Sequence, residues 1–185
     1  MFDLAYPIDD EVEIDGITYK VDLSFDNVLR LFDMLEDEEL DDVTQIEIGL
    51  EMLLGVCFIC DIQTKEEIFF EVFKNTIGVE SEENQPVDIE GNPMPEQKEE
   101  KVYSIKEDAE YMYASFYQDY GIDLFEMQGK LHWNKFKALL AGLRPDTKFK
   151  EVIDIRTMDL PTGKGMSKER KRIKELKEHY KLRDD

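Results

Sequence analysis

The stretch GKLHWNKFKALLAGL, Gly129 to Leu143, holds the only tryptophan of the 185-residue chain. Trp133, Phe136, Leu139, Leu140 and Leu143 recur at intervals of three and four, the period that lines one face of an α-helix. Arg144-Pro145 follows at once. A proline pushes the residue before it out of helical backbone, so the helix is expected to stop there. The spacing predicts an amphipathic helix with those five side chains turned into a core.

The neighbouring segments repeat that pattern. Upstream, Ser104 and Glu107 have the spacing of a capping box. Ile105, Ala109, Met112, Tyr113, Phe116 and Tyr120 then share a helical face, and Gly121 can end the helix. Downstream, TKFKEVIDIRTM reads as a short helix capped by Thr147, with Phe149, Val152 and Ile153 on one side. DLPTGKG is a loop. Ser167 caps a last, Lys-rich helix whose apolar stripe is only Ile173, Leu176 and Tyr180.

The N-terminal part differs in period. EVEIDGITYKVDL alternates, and Asp15-Gly16 suits a two-residue turn with positive φ at both positions. The implied register sets Ile14 against Ile17, Val12 against Tyr19, Glu13 against Thr18 and Glu11 against Lys20. Ser24 can cap a helix with Phe25, Val28, Leu29 and Phe32 on one stripe. A second, central helix is expected from about Thr44 to Cys60. A third is opened by a Thr64–Glu67 capping box, with Phe69, Val72 and Phe73 inward. Between Val79 and Glu100 the chain carries 8 acidic residues, 1 lysine, 3 prolines and no aromatic. Such a segment cannot bury enough to offset its ordering entropy. The expected fold is mainly α, a helical domain with a small N-terminal β-hairpin and an acidic flexible linker. Its parts are residues 1–78 (hairpin plus helices), 79–103 (linker), 104–160 (helices carrying the tryptophan motif) and 166–185 (basic helix), one globular domain overall.

The chain has 44 acidic against 23 basic residues, a net charge of −21. That field repels a nucleic-acid backbone or an anionic membrane and favours solubility. Met166 to Asp185 alone is net +3, with eight basic and five acidic residues, which leaves −24 on the other 165. A basic end on an acidic body can contact a neighbouring copy, making a homo-oligomer, or fold back on its own subunit. The start of the chain lacks a basic region and a long apolar run, so no secretory signal is expected. The longest apolar stretch, Met52 to Cys60, is too short to cross a bilayer.

Few residues suggest chemistry. Cys57 and Cys60 form one C-x-x-C without a second pair, a poor metal site, and read as small apolar residues of a buried helix. PTGKGMS lacks phosphate-loop spacing. His132 and His179 sit on different helices, and EDEELDD lacks the alternation of a calcium loop. No catalytic, cofactor-binding or metal-ligating residue is assigned, and the chain is expected not to be an enzyme.

The segment YGIDLFEMQGKLHWNKFKALLAGL, then FKEVIDIRTM, then a Lys-rich end, resembles the tail assembly chaperones of long-tailed phages and prophages of Gram-positive bacteria. Leu131, His132, Trp133, Phe136, Leu139, Leu140, Gly142 and Leu143 match that family's motif, as do Ile155 and Arg156. Asn134 departs from it, where a second aromatic is commoner. The resemblance implies a non-enzymatic protein of the bacterial host cytoplasm. It would bind the tape measure protein, keep it soluble, give way to the major tail protein, and be absent from the virion. On this reading Ile173, Leu176 and Tyr180, with Lys135, Arg144 and Arg156, are the candidate partner-binding residues. The rival reading is an acidic DNA-mimic inhibitor of a nucleic-acid enzyme.

Overall fold

The computed structural model describes residues 4–78, 102–163 and 165–183. Among them are seven helices and one two-stranded antiparallel sheet. They fall into two compact units, one within Met1–Pro95 and Gln128–Lys137, the other within Glu96–Met127 and Ala138–Asp185.

In the first unit, β1 (Glu11–Ile14) pairs with β2 (Ile17–Lys20) in the expected register. Asp15 (φ 51°) and Gly16 (φ 75°) both take the positive φ that the short turn requires. Three helices follow: α1 (Phe25–Leu35), α2 (Asp42–Leu54) and α3 (Ile62–Thr76). Ser24 stands at the N-cap of α1, but its hydroxyl donates to Asp22 Oδ1 at 2.7 Å and leaves the helix uncapped. The inward face of α1 is Phe25, Val28 and Leu31, whereas Leu29 and Phe32 are half-buried.

Two expectations fail here. The second helix ends at Leu54 because Gly55 takes left-handed backbone (φ 67°). Cys57 and Cys60 therefore lie in the following loop as exposed free thiols. The third helix is not opened by Thr64. Asp61 caps it, accepting the Thr64 N–H at 3.1 Å and its hydroxyl at 2.8 Å. Asp41 caps α2 in the same way through Thr44. The amide hydrogen bonds from Thr44 and Thr64 hold both carboxyls below their ordinary range.

The second unit contains α4 (Ala109–Tyr120), α6 (Lys148–Thr157) and α7 (Ser167–His179), in which Ser167 is the first helical residue and Met166, not Ser167, stands at the N-cap. Helix α5 (Trp133–Ala141) starts in the first unit and ends in the second. The helix expected from Ser104 begins only at Ala109. Residues 105–108 form a turn in which Ser104 Oγ accepts the Glu107 N–H at 3.3 Å. Gly121 ends α4 as expected. Helix α6 buries Ile155 with Phe149 and Val152, where Ile153 was expected. Thr147 occupies its N-cap, but the hydroxyl donates to the Arg144 carbonyl at 2.7 Å. Residues 79–101 of the expected linker lie outside the described residues. Its last two belong to the second unit, where Tyr103 packs edge-on against Phe149, ring centroids 5.5 Å apart.

Candidate functional site

The tryptophan motif is placed by a short backbone pairing. Ser24 and His132 form an isolated antiparallel bridge. Phe25 N–H donates to the Leu131 carbonyl at 2.9 Å, and Trp133 N–H to the Leu23 carbonyl at 2.7 Å. This pairing brings the start of α5 beside the start of α1. Trp133, 6% exposed, then stacks on Phe136 (5.6 Å, 16°) and meets Phe32 edge-on (5.8 Å, 72°). Phe136 stacks on Phe25 at 5.0 Å. Phe32 passes the contact to Phe73, and Phe73 to Phe69, giving a continuous aromatic ladder through α5, α1 and α3. Offset and edge contacts of this kind stabilise beyond simple burial. The motif is therefore core in the first unit.

Its polar edge is specific. His132 occupies the N-cap of α5, and its Nδ1 accepts the Asn134 N–H at 3.0 Å. A ring that accepts there must be neutral, with its proton on Nε2. Burial lowers the His132 pKa below its ordinary value, helped by Lys135 and Lys137 and opposed by Asp10. His132 Nε2 and Trp133 Nε1 are buried without a hydrogen-bond partner. Lys137 lies 5.6 Å from the Trp133 ring centre and donates to the Ile77 carbonyl.

In the second unit Leu140 and Leu143 are buried, Leu139 is half-buried, and Gly142 is exposed. A side chain at Gly142 would sit 3.2 Å from the Tyr120 hydroxyl. That hydroxyl donates to the Leu139 carbonyl at 2.9 Å. The motif thus supplies side chains to both units.

The candidate partner-binding residues divide. Lys135 is exposed. Arg144 is engaged: its N–H donates to Asp119 Oδ2 at 2.9 Å and its Nε pairs with Oδ1. The Arg144 N–H bond, ahead of the ion pair, holds the Asp119 carboxyl below its ordinary range. Arg156 is more deeply engaged, in a two-point ion pair with Asp108 (2.6 and 2.8 Å), and it also donates to the Val102 and Tyr180 carbonyls. Ile173 is buried and Leu176 and Tyr180 are half-buried, because α7 folds back on α6 of its own unit. Sequence reasoning missed Asn27, a buried amide of α1. It donates to the Asp22 and Met52 carbonyls at 3.0 and 2.8 Å and ties α1 to α2. A lone Asn among helical residues gives no periodic signal.

Among the described residues no helix is long and apolar enough to cross a membrane, and no group of three or more His, Cys, Asp or Glu side chains is placed to hold a metal ion.

These features define an acidic, mainly helical protein led by a hairpin and organised around one aromatic motif. The chain belongs to the bacteriophage Gp15 protein family, whose model matches residues 7–182. No curated protein and no solved structure matches it.

Proposed function

We propose that this phage protein is a tail assembly chaperone of a long-tailed phage or prophage of Gram-positive bacteria. It binds the tape measure protein in the host cytoplasm and keeps it soluble. It gives way as the major tail protein polymerises, and it does not remain in the virion. The role is binding without catalysis, with several copies along one client. The observation that carries the reading is the pairing of a net charge of −21 with large apolar side chains on the surface. Ile59, Phe70, Tyr117 and Phe125 are all more than half exposed. Such side chains suit an apolar helical client, while the charge keeps the complex dispersed. A DNA mimic would need carboxylates in their place.

Co-expression with the phage's tape measure protein tests the reading. The client should stay in the supernatant with the chaperone and precipitate without it, and the complex should survive 0.5 M salt. A client equally soluble alone, or a complex that dissolves with salt, would sink the proposal and favour the acidic decoy.

A further inference from the structure

We infer that the surface of the second unit beneath α7 is a helix-binding groove, and that α7 is its resident occupant. A partner displaces α7 by supplying an amphipathic, basic helix with the same apolar spacing. That the partner is the phage client rests on the proposed function; the groove itself rests on the following geometry.

Helix α7 is loosely built into the unit. Of its 13 residues only Ile173 is buried. Its ion pairs Lys171–Glu175 and Arg172–Glu169 close within the helix. At its start Arg170 donates to the Pro161 carbonyl, in a connection that contains Gly163 and Gly165, both at positive φ.

Its specific anchors cluster at the other end. Arg156 Nε donates to the Tyr180 carbonyl at 2.5 Å. Lys148 Nζ donates to the Tyr180 hydroxyl at 2.9 Å and lies 4.9 Å from the ring centre. The Tyr111 ring meets Tyr180 edge-on, centroids 5.9 Å apart, and Glu107 accepts the Arg183 N–H at 3.1 Å.

Part of the receiving side is held without α7. Arg156 is fixed by Asp108, and the backbone at the start of α6 by the Ser115 hydroxyl, which accepts the Phe149 N–H at 2.9 Å. One cation, Arg156, therefore stands where a helix presents its unpaired C-terminal carbonyls and the negative end of its dipole, and Lys148 meets the side chain of the residue that ends the helix. The groove recognises a helix by its last turn, and by large apolar side chains spaced as Ile173, Leu176 and Tyr180 are. A basic outer face, as on α7, suits the net −24 of the rest of the chain.

The test uses a fluorescent peptide of residues 166–183, the full chain, and the chain ended after Gly165. The shortened chain should bind the peptide saturably. A peptide with Ile173 and Leu176 replaced by serine should bind at least about tenfold more weakly. The full chain should also bind the parent peptide at least about tenfold more weakly, because its own α7 competes at high effective concentration. Tyr180→Ala in the full chain should recover part of that loss. A shortened chain that keeps its remaining helical signal yet ignores the peptide overturns the inference. So does equal binding by both chains.

Should the shortened chain fail to fold, hydrogen exchange on the full chain decides. Amides of α7 should exchange at least about tenfold faster than those of α4 and α6, and equal protection overturns the inference. If the full chain instead forms a dimer that α7 deletion abolishes, the occupant is the α7 of a second copy and the partner-helix assignment falls. Loss of the tape measure reading alone would leave every peptide result unchanged.

Discussion

The guanidinium of Arg156 grips the Asp108 carboxylate with both terminal nitrogens, Nη1 to Oδ2 at 2.6 Å and Nη2 to Oδ1 at 2.8 Å, with the Asp108 side chain 1% exposed. Removing one partner of a buried pair leaves the other charge uncompensated, which costs about 3–5 kcal/mol. Arg156→Ala should therefore lose that much stability in urea unfolding followed by circular dichroism. The double variant with Asp108→Ala should lose less than Arg156→Ala alone. A single substitution within 1 kcal/mol of the parent would show that the pair is not a structural centre.

Trp133→Ala should cost about 3–5 kcal/mol, because it removes the ring between Phe32 and Phe136 and leaves a cavity. Trp133→Phe keeps most of the stacking surface and deletes the unpaired buried indole N–H, so it should cost less than half as much. Thermal denaturation of both variants checks this. Normal stability in Trp133→Ala, with client binding lost, would move the residue from core to interface.

Gly49 lies in the middle of α2, where alanine would ordinarily gain about 1 kcal/mol in helix propensity. A Cβ there would sit 2.5 Å from Cε2 of Phe69, and that ring is fixed by Phe70 and Phe73. Overpacking of this kind costs about 1–3 kcal/mol, so Gly49→Ala should be net destabilising. An increase in melting temperature would show that the Phe69 ring moves aside freely.

The His132 pKa is lowered in the folded chain, chiefly by burial, so the unfolded chain binds the extra proton first. The stability this group supports is complete above about pH 6.5 and is lost as pH falls from there through the folded value. Protonation also removes the acceptor for the Asn134 N–H. Melting temperature should fall as pH drops below about 6.5, and His132→Asn, which keeps an acceptor, should flatten that slope. An unchanged slope in the variant would assign the effect to other groups.

Local chemistry was enough to define much of this protein. Strict alternation and Asp15-Gly16 set the hairpin register, because a slip of one residue would turn every side chain to the wrong face. The three-and-four spacing around Trp133 marked its buried face. Gly121 ended α4, since only left-handed backbone continues the chain there. The charge of −21 likewise needs no fold to be known.

Tertiary structure decided the rest. The start of α3 lies before Thr64 because the threonine hydroxyl donates to Asp61, which does the capping. Both hydroxyl and carboxylate can cap, so spacing alone does not choose between them. The cysteines are exposed because Gly55 ends α2 five residues before Cys60, although the apolar run continues past it. Only folding could bring Leu23 beside Trp133, Asp108 beside Arg156, or Tyr180 onto Lys148. Those contacts join segments from 32 to more than 100 residues apart. Their energies depend on geometry, which no local window of sequence contains.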